Sequence, residues 1–142
     1  MRLEKKLTSK FHILCIDDNE DFLQVLKHLI EAMGYNLTSV SSAERGLEVM
    51  QSIRPSIIFC DLGLPGGMDG FQFASEIRAE KTLNDIPMIA ISAQTDDVSI
   101  QKALWSGFDK IFSKPVKFGD IRAVLLEVTK ADYKHSRPYS EI

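Results

Sequence analysis

The sequence predicts an α/β fold in which helices cover both faces of a five-stranded parallel β-sheet. Two observations predict it. Short apolar runs alternate five times with longer segments whose apolar residues recur at helical spacing. The runs are nearly continuous and do not alternate with polar residues, which is typical of strands buried on both faces. This alternation of strands and helices indicates a doubly wound sheet.

The apolar runs give the strand positions. We expect strands at about residues 11–16, 36–40, 56–60, 87–91 and 109–113. The run at Ile57-Ile58-Phe59-Cys60 is the clearest, because β-branched and aromatic residues fit a pleated, buried surface.

The segments between the strands predict five amphipathic helices. The first ends at Gly34, because glycine readily adopts the left-handed backbone that terminates many helices. The second begins at Ser41, which has the spacing of a capping box with Glu44. The side chains expected to face the core are Phe22, Val25, Leu26, Leu29, Ile30 and Met33 in the first helix and Leu47 and Met50 in the second.

The remaining three helices follow the same reasoning. The third spans about residues 70–80, the fourth follows Thr95 and ends at Gly107, and the fifth follows Pro115. We expect Trp105 and Phe108 to pack the fourth helix and its exit. The other inward residues are Phe73, Ala74 and Ile77 in the third helix, Val98, Ala103 and Leu104 in the fourth, and Ile121, Val124, Leu125 and Val128 in the fifth.

Length and composition indicate one globular domain. The chain has 142 residues, of which 44% are hydrophobic and 26% charged, an ordinary balance for a folded protein. We assign residues 1–10 to an N-terminal extension, 11–130 to the domain, and 131–142 to a C-terminal tail without an output domain.

Charge and hydropathy argue against two classes of partner. The net charge is -3 and no basic stripe is evident, so we expect no direct nucleic-acid binding. No apolar stretch is long enough to span a bilayer, and the N-terminus lacks the apolar core of a signal peptide. We therefore expect no membrane insertion and a cytoplasmic location. Cys15 and Cys60 lie inside apolar runs, as small buried hydrophobes do.

Four of the apolar runs end in a polar group. Asp17-Asp18 follow the first, Asp61 the third, Ser92 the fourth and Lys114 the fifth. Ligands of doubly wound proteins bind outside the carboxyl ends of the strands. These five side chains are therefore predicted to share one pocket.

Three crowded carboxylates repel one another, and a hard divalent cation relieves that repulsion. Mg²⁺ (or Mn²⁺) prefers oxygen ligands and commonly takes one or two carboxylates together with phosphate oxygens. We expect Asp18, Asp61 and the backbone carbonyl of Gly63 to be ligands, with Asp17 acting through water.

The same pocket suits covalent phosphoryl acceptance. A carboxylate can serve as the nucleophile that accepts a phosphoryl group, and Asp61 is the candidate. Cations and hydrogen-bond donors must then offset charge on the phosphoryl oxygens, which Lys114 and Ser92 are placed to do. Taken singly, Asp61 could be a turn residue and Asp17-Asp18 a helix start. Their combination in this order favours the functional interpretation.

These residues resemble the receiver domain of two-component response regulators over about residues 11–130. The resemblance implies a flavodoxin-like sheet of order 2-1-3-4-5 with five helices. The motifs that carry it are Asp17-Asp18, Asp61-Leu62-Gly63-Leu64-Pro65 with Met68-Asp69-Gly70, Ile91-Ser92-Ala93, and Lys114-Pro115.

The resemblance also implies roles and partners. Asp61 would be the phosphoacceptor, Asp17 and Asp18 metal-site acids, Ser92 the switch hydroxyl, and Lys114 a phosphate contact followed by a cis peptide bond. The donor would be a phosphohistidine of a histidine kinase or phosphotransfer protein. The response would be altered binding to a downstream protein or to a second copy of the chain. The chain would phosphorylate and dephosphorylate itself without turning over an independent substrate.

Three features depart from the family pattern. Ile111 stands where the family usually has an aromatic residue, with Phe112 beside it. Gly66-Gly67 lengthens the loop after Asp61 by one residue. Many members carry an output domain, which we do not find in these 142 residues.

Three other functions remain to be weighed. An aspartyl-phosphate phosphatase or mutase usually has a second acid two residues after its nucleophile, where this chain has Gly63. A flavodoxin-like flavin module needs a phosphate-binding loop after the first strand, where Asp17-Asp18 would repel phosphate. A docking or dimerisation module with secondary phosphorylation is favoured by Ile111 and by the C-terminal tail.

Overall fold

A computed structural model of the chain describes residues 11–130 and contains a five-stranded parallel sheet with five helices. The strand order is β2-β1-β3-β4-β5, which confirms the predicted fold class. The strands are β1 (His12–Ile16), β2 (Asn36–Val40), β3 (Ile57–Asp61), β4 (Met88–Ser92) and β5 (Lys110–Ser113). The helices are α1 (Glu20–Ala32), α2 (Ala43–Val49), α3 (Gly70–Ala79), α4 (Asp97–Ser106) and α5 (Phe118–Val128).

The predicted N-terminal extension and C-terminal tail lie outside the described residues. Within residues 11–130, no helix combines the length and the apolar character needed to cross a lipid bilayer.

Helices bury both faces of the sheet. Side chains of a strand alternate between its faces, so Leu14 and Ile16 of β1 enter one core cluster while Ile13 and Cys15 enter the other. The first cluster includes Phe73 of α3 and residues of α2 and α4. The second includes α1 and α5, in which the predicted core residues Leu26, Ile30, Ile121, Val124 and Leu125 are buried. The prediction was wrong for Val25 of α1, which is 49% exposed. Each such aliphatic side chain contributes roughly 1.5–3 kcal/mol by leaving water.

Two strands extend one residue further than their apolar runs predict. Asp61 pairs with Ile91 at the end of β3, and Ser92 pairs with Ser113 at the end of β4. Backbone hydrogen bonds of the parallel ladder do not depend on side-chain polarity. The acceptor candidate is therefore a strand residue and not the first residue of a loop.

Helix α1 has a defined signal at each end. The Asn19 side chain accepts a hydrogen bond from the N–H of Phe22 at the start. At the other end Gly34 has φ of +86°, and its N–H donates to the carbonyl of Glu31. The N–H of Tyr35 donates to Ile30, completing a Schellman motif. The predicted stop at Gly34 is confirmed.

The predicted start of α2 was wrong by one residue. Ser42, not Ser41, is the N-cap, and its hydroxyl accepts from the N–H of Arg45 at 3.2 Å. Glu44 forms no capping box with Ser41, and its carboxylate instead accepts from the N–H of Met68. The spacing rule favoured Ser41 because Glu44 follows it by three residues, but the Glu44 carboxylate has its partner in the loop after Asp61.

The apolar face predicted for α4 was only partly right. Ala103 and the following Phe108 are buried, but Val98 and Trp105 are 77% and 61% exposed. Val98, Lys102 and Trp105 are spaced by four and three residues, so they share the outer face of the helix. Packing of Trp105 into the core is therefore excluded.

Arg78 ties the end of α3 to the turns that precede β4 and β5. Its Nη2 lies 3.2 Å from Asp109 Oδ2, and both side chains are at most 13% exposed. Asp109 Oδ2 also accepts from the N–H of Met88, the first residue of β4. Other guanidinium N–H groups donate to the carbonyls of Asn84, Ile86 and Gly107.

We expect Arg78→Met to lower the free energy of unfolding by about 3–5 kcal/mol, because it leaves the Asp109 carboxylate buried without its cation. Arg54→Met is the matched control, since Arg54 and Asp85 form an exposed pair worth at most about 1 kcal/mol. Urea titration of both variants measures the difference. Equal losses in the two variants would contradict the role given to Arg78.

We expect both thiols of the folded protein to resist alkylation and disulfide reagents at mildly alkaline pH. Cys15 and Cys60 are fully buried, and burial raises the pKa of each thiol well above its ordinary value. A thiol titration in denaturant should find two reactive groups, and the same titration on native protein should find almost none. Rapid native reaction of either cysteine would contradict the described core.

Candidate functional site

The acids predicted at the strand ends lie together. Asp17 follows β1, where its N–H donates to the carbonyl of Val40 and continues the ladder, and Asp61 ends β3. Asp18 is exposed beside them. One carboxylate oxygen from each of the three acids lies within 4.8 Å of the others. The parallel sheet therefore holds three negative charges at one edge.

Asp17 is fully buried. Its Oδ1 accepts from the N–H of Asn19 at 2.9 Å. Its Oδ2 has no hydrogen-bond partner among the described residues, although Lys114 Nζ is 3.6 Å away. Burial raises the pKa of this carboxyl, and the charge of Asp61 adds to the rise, against the opposing effects of the Asn19 N–H and Lys114.

The carboxylate of Asp61 is held from two sides. Oδ1 accepts from the N–H of Gly63 at 2.9 Å, and Oδ2 accepts from Lys114 Nζ at 3.0 Å. Gly70, the first residue of α3, lies so close that a Cβ there would be 2.6 Å from the carbonyl oxygen of Asp61. The Asp61 side chain is almost entirely buried, and its two oxygens accept hydrogen bonds from different donors.

Lys114 supplies the positive charge of the cluster. Partial burial lowers the pKa of its ammonium, but the hydrogen bond to Asp61 and the charge of Asp17 outweigh that effect and leave the pKa raised. The peptide bond between Lys114 and Pro115 is cis, as the resemblance implies. Beside Lys114 is a cavity of about 510 Å³, lined by Asn19, Phe22, Ile91, Pro115, Val116 and Phe118.

Ser92 is buried at the end of β4 but does not bond to the acids. Its hydroxyl donates to the carbonyl of Gln94 at 3.0 Å and accepts from the N–H of the same residue at 2.9 Å. Its own carbonyl accepts from the N–H of Lys114. The structure thus brings Asp17, Asp18, Asp61 and Lys114 together and turns the Ser92 hydroxyl toward its own loop.

The cluster has the chemistry of a site for a hard divalent cation. One ammonium faces three carboxylates, and the buried Oδ2 of Asp17 lacks a hydrogen-bond donor. Carboxylate oxygens are the ligands that Mg²⁺ and Mn²⁺ prefer. The residues present therefore fit a divalent cation. For Gly63 the structure describes the N–H, which bonds to Asp61, and ligation by its carbonyl stays a prediction.

Sequence reasoning missed two contributions around the site. Asp69 and Gln72 form a complete capping box that begins α3, and their spacing could have revealed it. Glu44 bonds to the loop after Asp61 from 24 positions away in the chain, and no local pattern signals such a contact.

Comparisons with known proteins identify the family and agree with the fold. A family model described as the response regulator receiver domain matches residues 13–126. The transcriptional regulatory protein AfsQ1 of Streptomyces coelicolor is 32% identical over 117 residues, covering 80% of this chain and 50% of that protein. The chain spans about half the length of the curated relatives it matches.

Solved structures give the same assignment. A two-component response regulator from Clostridium difficile matches with a TM-score of 0.76 and 27% identity, covering 83% of this chain and 94% of that one. A second match is the receiver domain of sensor histidine kinase PA1611 from Pseudomonas aeruginosa, which was solved with a magnesium ion in its active-site cleft. Its TM-score is 0.73 and its sequence identity is 26%, and the match covers 81% of this chain and 93% of that one. The family match spans most of the chain, so this protein belongs to the response regulator receiver domain family of two-component systems.

Proposed function

We propose that Asp61 accepts a phosphoryl group from a phosphohistidine of a partner protein, and that the chain then signals by changed protein–protein binding. The observation that carries the proposal is the bond of 3.0 Å between Lys114 Nζ and Asp61 Oδ2 inside a cluster of three acids. An ammonium bound to one carboxylate oxygen is also within reach of a phosphoryl group on that carboxylate.

The transfer needs little beyond position and charge. A carboxylate oxygen of Asp61 forms a bond to phosphorus while the bond from phosphorus to the donor imidazole nitrogen breaks. The bonding pair stays on that nitrogen, which takes a proton from solvent, and Asp61 becomes an acyl phosphate. Lys114 stays in contact with the oxygens that carry the charge, and the N–H of Gly63 holds the carboxylate in place.

Asp18, Asp61 and the Gly63 carbonyl would hold Mg²⁺ or Mn²⁺, with Asp17 acting through water. When bound, the cation would offset the negative charge of the acids and of the phosphoryl oxygens. The magnesium in the cleft of the similar PA1611 receiver domain supports this assignment.

The donor we propose is a histidine kinase or a histidine phosphotransfer protein. The cavity beside Lys114 offers such a partner an apolar surface at the point of transfer. The rings of Phe22 and Phe118 stack there with centroids 6.3 Å apart, joining α1 to α5. We propose no turnover of an independent substrate, because the chemistry ends on Asp61 itself. The downstream target and the cytoplasmic location stay predictions.

A second candidate is a docking or dimerisation module in which phosphorylation is secondary. Two observations favour it. Ile111 replaces the family's usual aromatic residue, and Trp105 presents an apolar ring to solvent on α4. Under this alternative, beryllofluoride with Mg²⁺ would leave the oligomeric state and partner affinity unchanged.

We expect acetyl phosphate with Mg²⁺ to add one phosphoryl group to the native chain, seen by intact mass, because Asp61 is the acceptor. Asp61→Asn should give no adduct. The matched control is Asp120→Asn, which removes an exposed acid from the first turn of α5 and should label normally. An undiminished adduct on Asp61→Asn would overturn the assignment. If acetyl phosphate does not label the native chain, binding of beryllofluoride with Mg²⁺ shows whether the site is intact but this donor is unsuitable.

We expect Mg²⁺ to stabilise the wild type and not Asp18→Asn, since binding to the folded state alone adds about 1.4 kcal/mol when free Mg²⁺ is ten times its Kd. Without divalent ions, Asp18→Asn should be more stable than wild type by roughly 0.5–1 kcal/mol, because one repelling charge is removed. Asp21→Asn is the matched control outside the three-acid cluster. Equal Mg²⁺ responses in all three proteins, measured by urea titration, would contradict the metal site.

A further inference from the structure

The loop between Asp61 and α3 is anchored at both ends but exposed between them. Leu62 and Leu64 are buried in the core, and Asp69 caps α3. Pro65, Gly66 and Gly67 between these anchors are exposed. This exposed stretch contains the Gly66-Gly67 pair, which makes the loop one residue longer than the common family form.

Glycine is favoured at positions 66 and 67 for different physical reasons. Gly66 has φ of +91°, a left-handed conformation that favours glycine, and open space around its Cα. Gly67 has no such φ. A Cβ at Gly67 would instead lie 2.8 Å from Oε2 of Glu44, closer than real Cβ atoms come. Glycine at position 67 therefore makes room for the Glu44 carboxylate.

Glu44 uses that room to bond to the loop. Its Oε2 accepts from the N–H of Met68 at 2.8 Å, a charge-assisted hydrogen bond. The polar residues next to Glu44 on α2 have partners within the helix: Ser42 caps α2, and Arg45 pairs with Glu48 at 2.8 Å. The carboxylate of Glu44 thus connects the first turn of α2 to the loop that follows Asp61.

The far end of this loop orients the acceptor. The N–H of Gly63 donates to Asp61 Oδ1, which leaves Oδ2 directed at Lys114. Gly63 lies between the buried side chains of Leu62 and Leu64, and the bond from Met68 to Glu44 adds a second constraint at the other end of the exposed stretch. Reactions of this kind are sensitive to small displacements of the reacting atoms.

We propose that Glu44 is a positioning residue for phosphoryl transfer to Asp61. Together with the space at Gly67, it holds the glycine-extended loop so that the Gly63 N–H keeps the acceptor carboxylate in its reactive orientation. The proposal rests on Asp61 being the phosphoacceptor, and it adds a residue outside the acid cluster whose contact with the loop depends on Gly67.

The test compares three substitutions in the full chain. Glu44→Ala removes the acceptor of the Met68 N–H and should slow labelling by acetyl phosphate at saturating Mg²⁺ by about three- to tenfold. Glu44→Gln retains an acceptor oxygen and should recover most of the rate. Gly67→Ala should slow labelling too, but by no more than Glu44→Ala, because its Cβ displaces only the flexible end of the Glu44 side chain. The matched control is Glu48→Ala on the same helix, which should react like wild type.

Amide hydrogen exchange separates positioning from general stability. Exchange at Met68 and Gly63 should quicken in Glu44→Ala but not in Glu48→Ala, while the midpoint of thermal unfolding falls by a similarly small amount in both, because each loses one exposed polar contact of α2. If Glu44→Ala matches Glu48→Ala in labelling rate and in Gly63 exchange, the proposal is overturned. If wild type takes no label, the proposed function fails. Gly63 exchange in Glu44→Ala then still tests the positioning role: quickened exchange supports it, and unchanged exchange contradicts it.

Discussion

Mutual repulsion of three carboxylates at one edge of the sheet is the constraint on which the site depends. The strands that carry Asp17 and Asp61 are adjacent, so their register leaves the acids no freedom to separate. Lys114 offsets only part of the charge, and the buried Oδ2 of Asp17 has no hydrogen-bond donor among the described residues. Burial of the two apolar clusters offsets this electrostatic repulsion and holds the strands in place. A site so built favours a cation that neutralises the acids.

Contacts at the N-terminal ends of β4 and β5 help to position Lys114, which follows β5. Asp109 donates its N–H to the carbonyl of Met88 and accepts the Met88 N–H on its side chain, with Arg78 closing the pair. This double contact sets the register between β4 and β5 where the two strands begin. At their other end, the same register places the N–H of Lys114 on the carbonyl of Ser92. A buried ion pair far from the acids therefore supports the position of the ammonium.

Local patterns predicted what local physics determines. Continuous apolar runs predicted β1, β3 and β4, whereas β2 and β5 mix polar with apolar residues and are less buried. Gly34 and Gly107 marked helix ends, and both have positive φ. The acids and Lys114 were found because strand ends of a parallel sheet converge. Errors arose where tertiary contacts decide. Glu44 bonds to the N–H of Met68 instead of forming a capping box with Ser41, and the outer face of α4 exposes Val98 and Trp105 despite their apolarity. Glu44 was missed because its partner is distant in sequence.

Position 111 in β5 carries isoleucine, so no aromatic ring lies at that position. Ile111 packs toward the cluster that contains Ala90, and a cavity of about 370 Å³ remains beside it, lined by Thr95, Ile100, Leu104 and Ser113. The neighbouring ring of Phe112 cannot fill it, because adjacent strand residues face opposite sides and Phe112 packs with the α1 and α5 cluster. Ser92 is instead bonded to Lys114 through its backbone carbonyl and to Gln94 through its hydroxyl.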